Sequence, residues 1–133
     1  MNRSCLKIIR LLLVAAVAAG CQTAPPTGPA QRQAEAKIQF RLADIRPDGL
    51  RGPPDGLVSV AYEFCVPAND RVYQEVRRID PGIQICPGST GRIGCTKVQT
   101  LCLGNTHQPH WREVLLRLAS LPYVTEIREC FFE

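Results

Sequence analysis

The sequence has no basic run, no C-x-x-C pair and no apolar stretch long enough to span a membrane, and each absence removes a class of function. Nucleic-acid-binding chains gather Lys and Arg into one segment or face, whereas here 16 basic and 12 acidic residues are interspersed. Three of the basic ones, Arg3, Lys7 and Arg10, fall in the first twenty residues, leaving 13 against 12 in the rest. Nucleic acid is therefore not an expected partner. Without C-x-x-C there is no thioredoxin-like redox motif. The glycine-rich run Gly88–Gly94 lacks the Lys-Ser/Thr ending of a phosphate loop and opens no helix. No Ser-His-Asp set stands out and no cofactor motif is present, so the expectation is a binding or structural module rather than an enzyme.

What is there begins at the N-terminus. Arg3, Lys7 and Arg10 form a basic region ahead of a charge-free apolar run, Leu11–Ala19. That division is the plan of a secretory signal. A spanning helix needs about 20 apolar residues, so this run is too short to be one. An Ala-x-Ala site at Ala16-Val17-Ala18 fits a plain cleaved signal. Alternatively, Ala18-Ala19-Gly20-Cys21 resembles a bacterial lipobox. That resemblance implies cleavage before Cys21, a diacylglycerol on its sulfur, and membrane attachment through the lipid in the cell envelope. Ala18 departs from the leucine more usual at its position. Gln22, in place of aspartate, implies the outer membrane if the organism is double-membraned.

Residues 1–20 thus read as a lipoprotein signal peptide, 21–36 as a lipidated cysteine and Pro-rich tether, and 37–133 as one small α+β domain. The tether carries Pro25, Pro26 and Pro29 and no large apolar side chain, which favours extended backbone. Alternation of Ile38, Phe40 and Leu42 predicts a strand over 37–43, and Pro and Gly predict a loop over 46–56. Val58, Val60, Tyr62 and Phe64 mark a strand over 57–65. Asn69 and Asp70 then open a helix with Val72, Val76 and Ile79 on one stripe, closed by Pro81-Gly82. Short strands follow at 83–86 and 97–103, the second with Leu101 and Leu103 toward the core. Pro109 leads into a helix with Trp111, Val114, Leu115 and Leu118 inward, and a last strand runs from Tyr123 to Phe132, with Phe131-Phe132 closing the core. The order β-α-β-β-α-β, behind an extra N-terminal strand, predicts a ferredoxin-like split βαβ fold: an antiparallel sheet with two helices on one face.

Five cysteines follow Cys21: Cys65, Cys86, Cys95, Cys102 and Cys130. At this density an exported domain is expected to be disulfide-stabilised. Strand parity places Cys65 and Cys102 on the helix-free face as partners, pairs Cys86 with Cys95 across the 87–94 turn, and leaves Cys130 over. Arg92 at that turn, with Asn105 and His107, marks a possible binding patch, although the topology sets Arg92 at the opposite end of the sheet from the other two. A second reading is a small metal-binding or enzymatic domain using Cys102, His107 and His110. A third is an inhibitor or chaperone of an exported protease presenting the 87–94 loop. An envelope protein is the expected partner in the leading reading.

Overall fold

The computed structural model describes residues 28–131; Cys21, the signal segment and Phe132 lie outside them. The described chain is mixed α+β, with three α-helices and two antiparallel sheets of two and four strands. Helix α1 spans Pro29–Ala36. Strands β1 (Leu50–Arg51) and β2 (Val58–Ser59) form a small hairpin. Then come β3 (Ala61–Pro67), α2 (Asp70–Ile79), β4 (Gln84–Cys86), β5 (Gln99–Asn105), α3 (Trp111–Ser120) and β6 (Arg128–Glu129). The larger sheet has the order β4-β5-β3-β6, every neighbour antiparallel.

Local chemistry explains the helices. Asn69 caps α2, its side-chain oxygen accepting the Val72 amide at 2.9 Å, with Asp70 in the first turn and Arg77 and Arg78 in the last. Val72 and Val76 bury the helix stripe. Trp111, Leu115 and Leu118 do the same for α3. Both stripes join Val60, Tyr62, Phe64 and Val66 of the β3 segment in one core. The indole N–H of Trp111 donates to the carbonyls of Arg46 and Pro47, so the only tryptophan also pins the loop before β1.

Four expectations are corrected. Residues Pro29–Ala36 are helical rather than extended. Ala34 is buried and α1 packs on α3, because alanines let the two backbones approach closely. Residues 37–43 bury Ile38 and Leu42 as the alternation requires, but no strand forms. A single parallel bridge joins Ile38 to Ile127, and Leu42–Asp44 turn as a 3-10 helix. Val58 is exposed instead of inward, since it pairs with Arg51 in the hairpin while the alternation restarts at Val60. The last strand shrinks to Arg128–Glu129, for Leu121–Val124 turn to drive Val124 into the core, and Phe131 is 60% exposed rather than closing it.

Candidate functional site

The face of the sheet away from α2 and α3 is covered by the chain between β4 and β5. Register decides what lies beneath. Cys65 stands opposite Leu101 and Phe64 opposite Cys102, and opposed residues project to the same side. Cys102 is therefore a core residue with Phe64, and Leu101 belongs to the other face. This reverses the expected parity of β5. The expected Cys65–Cys102 and Cys86–Cys95 pairs give way to one disulfide, Cys65–Cys95, with Cα atoms 5.5 Å apart. Cys86, Cys102 and Cys130 are free thiols.

Around that disulfide the 87–97 segment is fastened to the sheet. Gly91, at φ +61°, sits so close over β3 and β5 that a Cβ there would lie 2.6 Å from Leu101 and 2.8 Å from the Glu63 carboxylate. The Ile93 amide donates to Glu63 Oε1 at 2.7 Å. Glu63 is only 2% exposed. The Cys130 thiol also hydrogen-bonds Glu63. Burial, the Glu63 charge and this bond push that thiol up from its ordinary value, while the Arg92 guanidinium pulls it down. Arg92 thus lies on the covered face near Cys130. The loop is folded back onto the sheet, with Gly91 and Ile93 held over β3 and β5.

A second polar cluster sits at the end of the sheet where α2 closes and β5 runs out. Asp80, 1% exposed, accepts from the Gly82 amide at 3.0 Å, the Tyr62 hydroxyl at 3.2 Å and the Gln108 side-chain amide at 3.3 Å. Burial, then the charge of Asp80, raises the Tyr62 phenol far above its usual value. Gln108 also donates to the Asn105 carbonyl, and Asn105 accepts the His107 amide at 2.7 Å. Asp80, Gly82, Asn105, His107 and Gln108 line a cavity of about 140 Å³. On the far side of His107, whose Nδ1 is 3.3 Å from the Asp48 carbonyl, Pro47, Asp48 and Pro109 help line another of about 270 Å³.

Asn105 and His107 therefore share a polar depression, and Arg92 does not join them. Cys102, His107 and His110 do not converge. Cys102 is fully buried in the core, with Arg77 as its nearby cation. Burial, then the nearby Cys86, pushes its thiol up to about 12. His110 is exposed at the start of α3 in the left-handed region, φ 56°. Among the described residues no three His, Cys, Asp or Glu side chains gather as a metal site. Sequence reasoning missed Glu63, Asp80 and Gln108. For Glu63 a signal existed: it alternates with the inward Tyr62 and Phe64. A surface groove of about 560 Å³ runs between α1 and α3 beside Ala34, Leu116 and His110. Comparison with protein-family models, with curated proteins and with solved structures finds no match to this chain.

Proposed function

We propose that the chain is a lipid-anchored protein of the bacterial cell envelope whose folded part is a non-catalytic binding or structural module. One observation carries the reading: an apolar run ending in Ala18-Ala19-Gly20-Cys21, followed by only seven residues before helix α1 begins at Pro29. Residues 22–28 are then the whole tether. At full extension such a tether reaches about 25 Å, so the domain stays close to the bilayer. The strand order β4-β5-β3-β6, with α2 and α3 between successive strands, supports a ferredoxin-like split βαβ arrangement for the domain. That arrangement hosts many functions and selects none. A second envelope protein is the partner, and the depression holding Asn105, His107 and Gln108 is the patch it would meet. The outer membrane is the expected location in a double-membraned cell.

Membrane fractionation of cells producing Cys21→Ser tests this. The variant is expected in the soluble fraction as uncleaved or mis-sorted chain, with the wild type in membranes and shifted in mass by its lipid. Equal membrane association of the two proteins would sink the proposal.

A further inference from the structure

Cys86 and Cys65 both stand opposite Leu101, one on each side of β5, so the two sulfurs share a face of the sheet. Two strand spacings, about 10 Å, separate their backbones. Cys95 joins them on that face through its bond to Cys65. The segment between Cys86 and Cys95 folds back on itself: Ser89 donates to the Cys86 carbonyl at 3.3 Å, and the Gly94 and Cys95 amides both donate to Thr90, at 3.1 and 2.7 Å. Cys95 is thereby carried back toward the strand that bears Cys86. Gly88 and Gly94, both at positive φ and with open space about them, flank the segment. The other thiols are less well placed to reach the disulfide. Cys102 is near Cys86 but fully buried on the helix side of the sheet, away from Cys65 and Cys95, and Cys130 follows β6, on the far side of β3 from β4.

We propose that the Cys65–Cys95 disulfide exchanges with the Cys86 thiol, giving the 87–94 loop two covalent states, one clasped to β3 and one closed on itself. Cys86 loses its proton to solvent and its thiolate attacks Cys95 Sγ. The Cys86–Cys95 bond forms as the Cys65–Cys95 bond breaks, and Cys65 leaves as a thiolate that takes up a proton. One disulfide and one thiol exist before and after, so no oxidant or reductant is consumed. In the second state the loop has lost its covalent hold on β3. Gly91 is then free to leave Leu101, and Ile93 to leave Glu63, uncovering an apolar and acidic strip of sheet that is shut in the first state. The exchange does not depend on what happens at Cys21.

Trypsin separates the three cysteines: residues 52–71 carry Cys65, 79–92 carry Cys86 and 93–97 carry Cys95. The full chain is held at about pH 8.5, where thiolate is plentiful, trapped with N-ethylmaleimide, digested, and its linked peptides identified by mass. Two pairs are expected, 52–71 with 93–97 and 79–92 with 93–97. Cys86→Ser loses the second pair and keeps the first. Cys65→Ser, oxidised with glutathione disulfide, forms the second pair alone, with Ile93 amide exchange about tenfold faster or more than in the wild type. The proposal is overturned if the second pair is missing from the wild type after a day, or if folded Cys65→Ser joins Cys95 to Cys102, to Cys130 or to nothing.

Discussion

Glu63 and Ile93 are thirty residues apart and meet through a 2.7 Å hydrogen bond from the Ile93 amide to the Glu63 carboxylate. The bond ties a central strand to the loop that covers it. Glu63→Ala removes a partner from the Ile93 amide and the Cys130 thiol, both half-buried. A loss of about 1 kcal/mol in denaturant unfolding is expected, with faster amide exchange confined to 87–97. A loss indistinguishable from zero would mean water replaces the carboxylate, and the clasp would then rest on the disulfide alone.

Gly104 stands opposite Tyr62, and a Cβ there would fall 2.3–2.5 Å from three atoms at the phenol end. Gly104→Ala therefore pushes the ring off Asp80. The expected destabilisation is about 2 kcal/mol or more, from overpacking and the broken hydrogen bond together. In a Tyr62→Phe background part of that cost has already been incurred, so the two changes should be less than additive in a double-mutant cycle.

Burial holds the Cys102 thiol at about 12 against an ordinary 9.0. Unfolding lets it ionise at the lower value. Its contribution to stability is whole below about pH 9 and is lost as pH rises toward 12. The Tyr62 and Tyr123 phenols, both raised mainly by burial, act in the same direction. Denaturant midpoints measured between these pH values should fall more gently for Cys102→Ala than for the wild type, by up to about 1.4 kcal/mol per pH unit. Parallel curves would show that Cys102 ionises equally in both states.

His110 is the non-glycine residue at positive φ among those described, and its side chain makes no capping bond to α3. His110→Gly relieves a left-handed conformation that costs an ordinary side chain about 1–2 kcal/mol. Against the greater freedom of glycine in the unfolded chain, a net gain of about 0.5 kcal/mol is expected. Thermal unfolding should shift upward by a few degrees; a drop would assign the imidazole a contact that matters.

How far the sequence could be read varied by element. Helices α2 and α3 are legible because cap, stripe and stop signals agree at Asn69, Val72, Val76 and Pro81, and stripe and stop signals at Trp111, Leu115 and Pro122; Pro109, expected in the first turn of α3, instead precedes its N-cap residue His110. Alternation at Ile38 and Leu42 told which side chains are buried but not that hydrogen bonding would reduce to one bridge, since burial and strand pairing are separate conditions. Helix α1 was hidden because its stability comes from docking small side chains on α3, and eight residues are too few to show a stripe.

The cysteine pairing failed on one ambiguity. A strand buried on both sides has no polar face to set its parity. Leu101 and Cys102 are both buried, one beneath a loop and one beneath helices, so hydrophobicity alone cannot assign them. Once Leu101 is moved to the loop side, Cys102 leaves the reach of Cys65 and Cys95 takes its place. Asn105 and His107 were found together because they are neighbours in the chain, whereas Asp80 and Gln108 meet only after the fold is made.

The neighbours of β3 set a schedule for the chain's birth. Both of its flanking strands, β5 and β6, are made after it, and so is Thr106, whose hydroxyl joins the two ends of the β1–β2 hairpin by donating to the Gly49 carbonyl and accepting the Val60 amide. A chain emerging N-terminus first therefore presents Tyr62 and Phe64 with no strand on either side for some forty residues, and stays open at one edge until Arg128 and Glu129 arrive. Truncation before that point leaves a sheet lacking its last edge strand, and the sequence separation of these contacts predicts folding slower than that of helical domains of equal length.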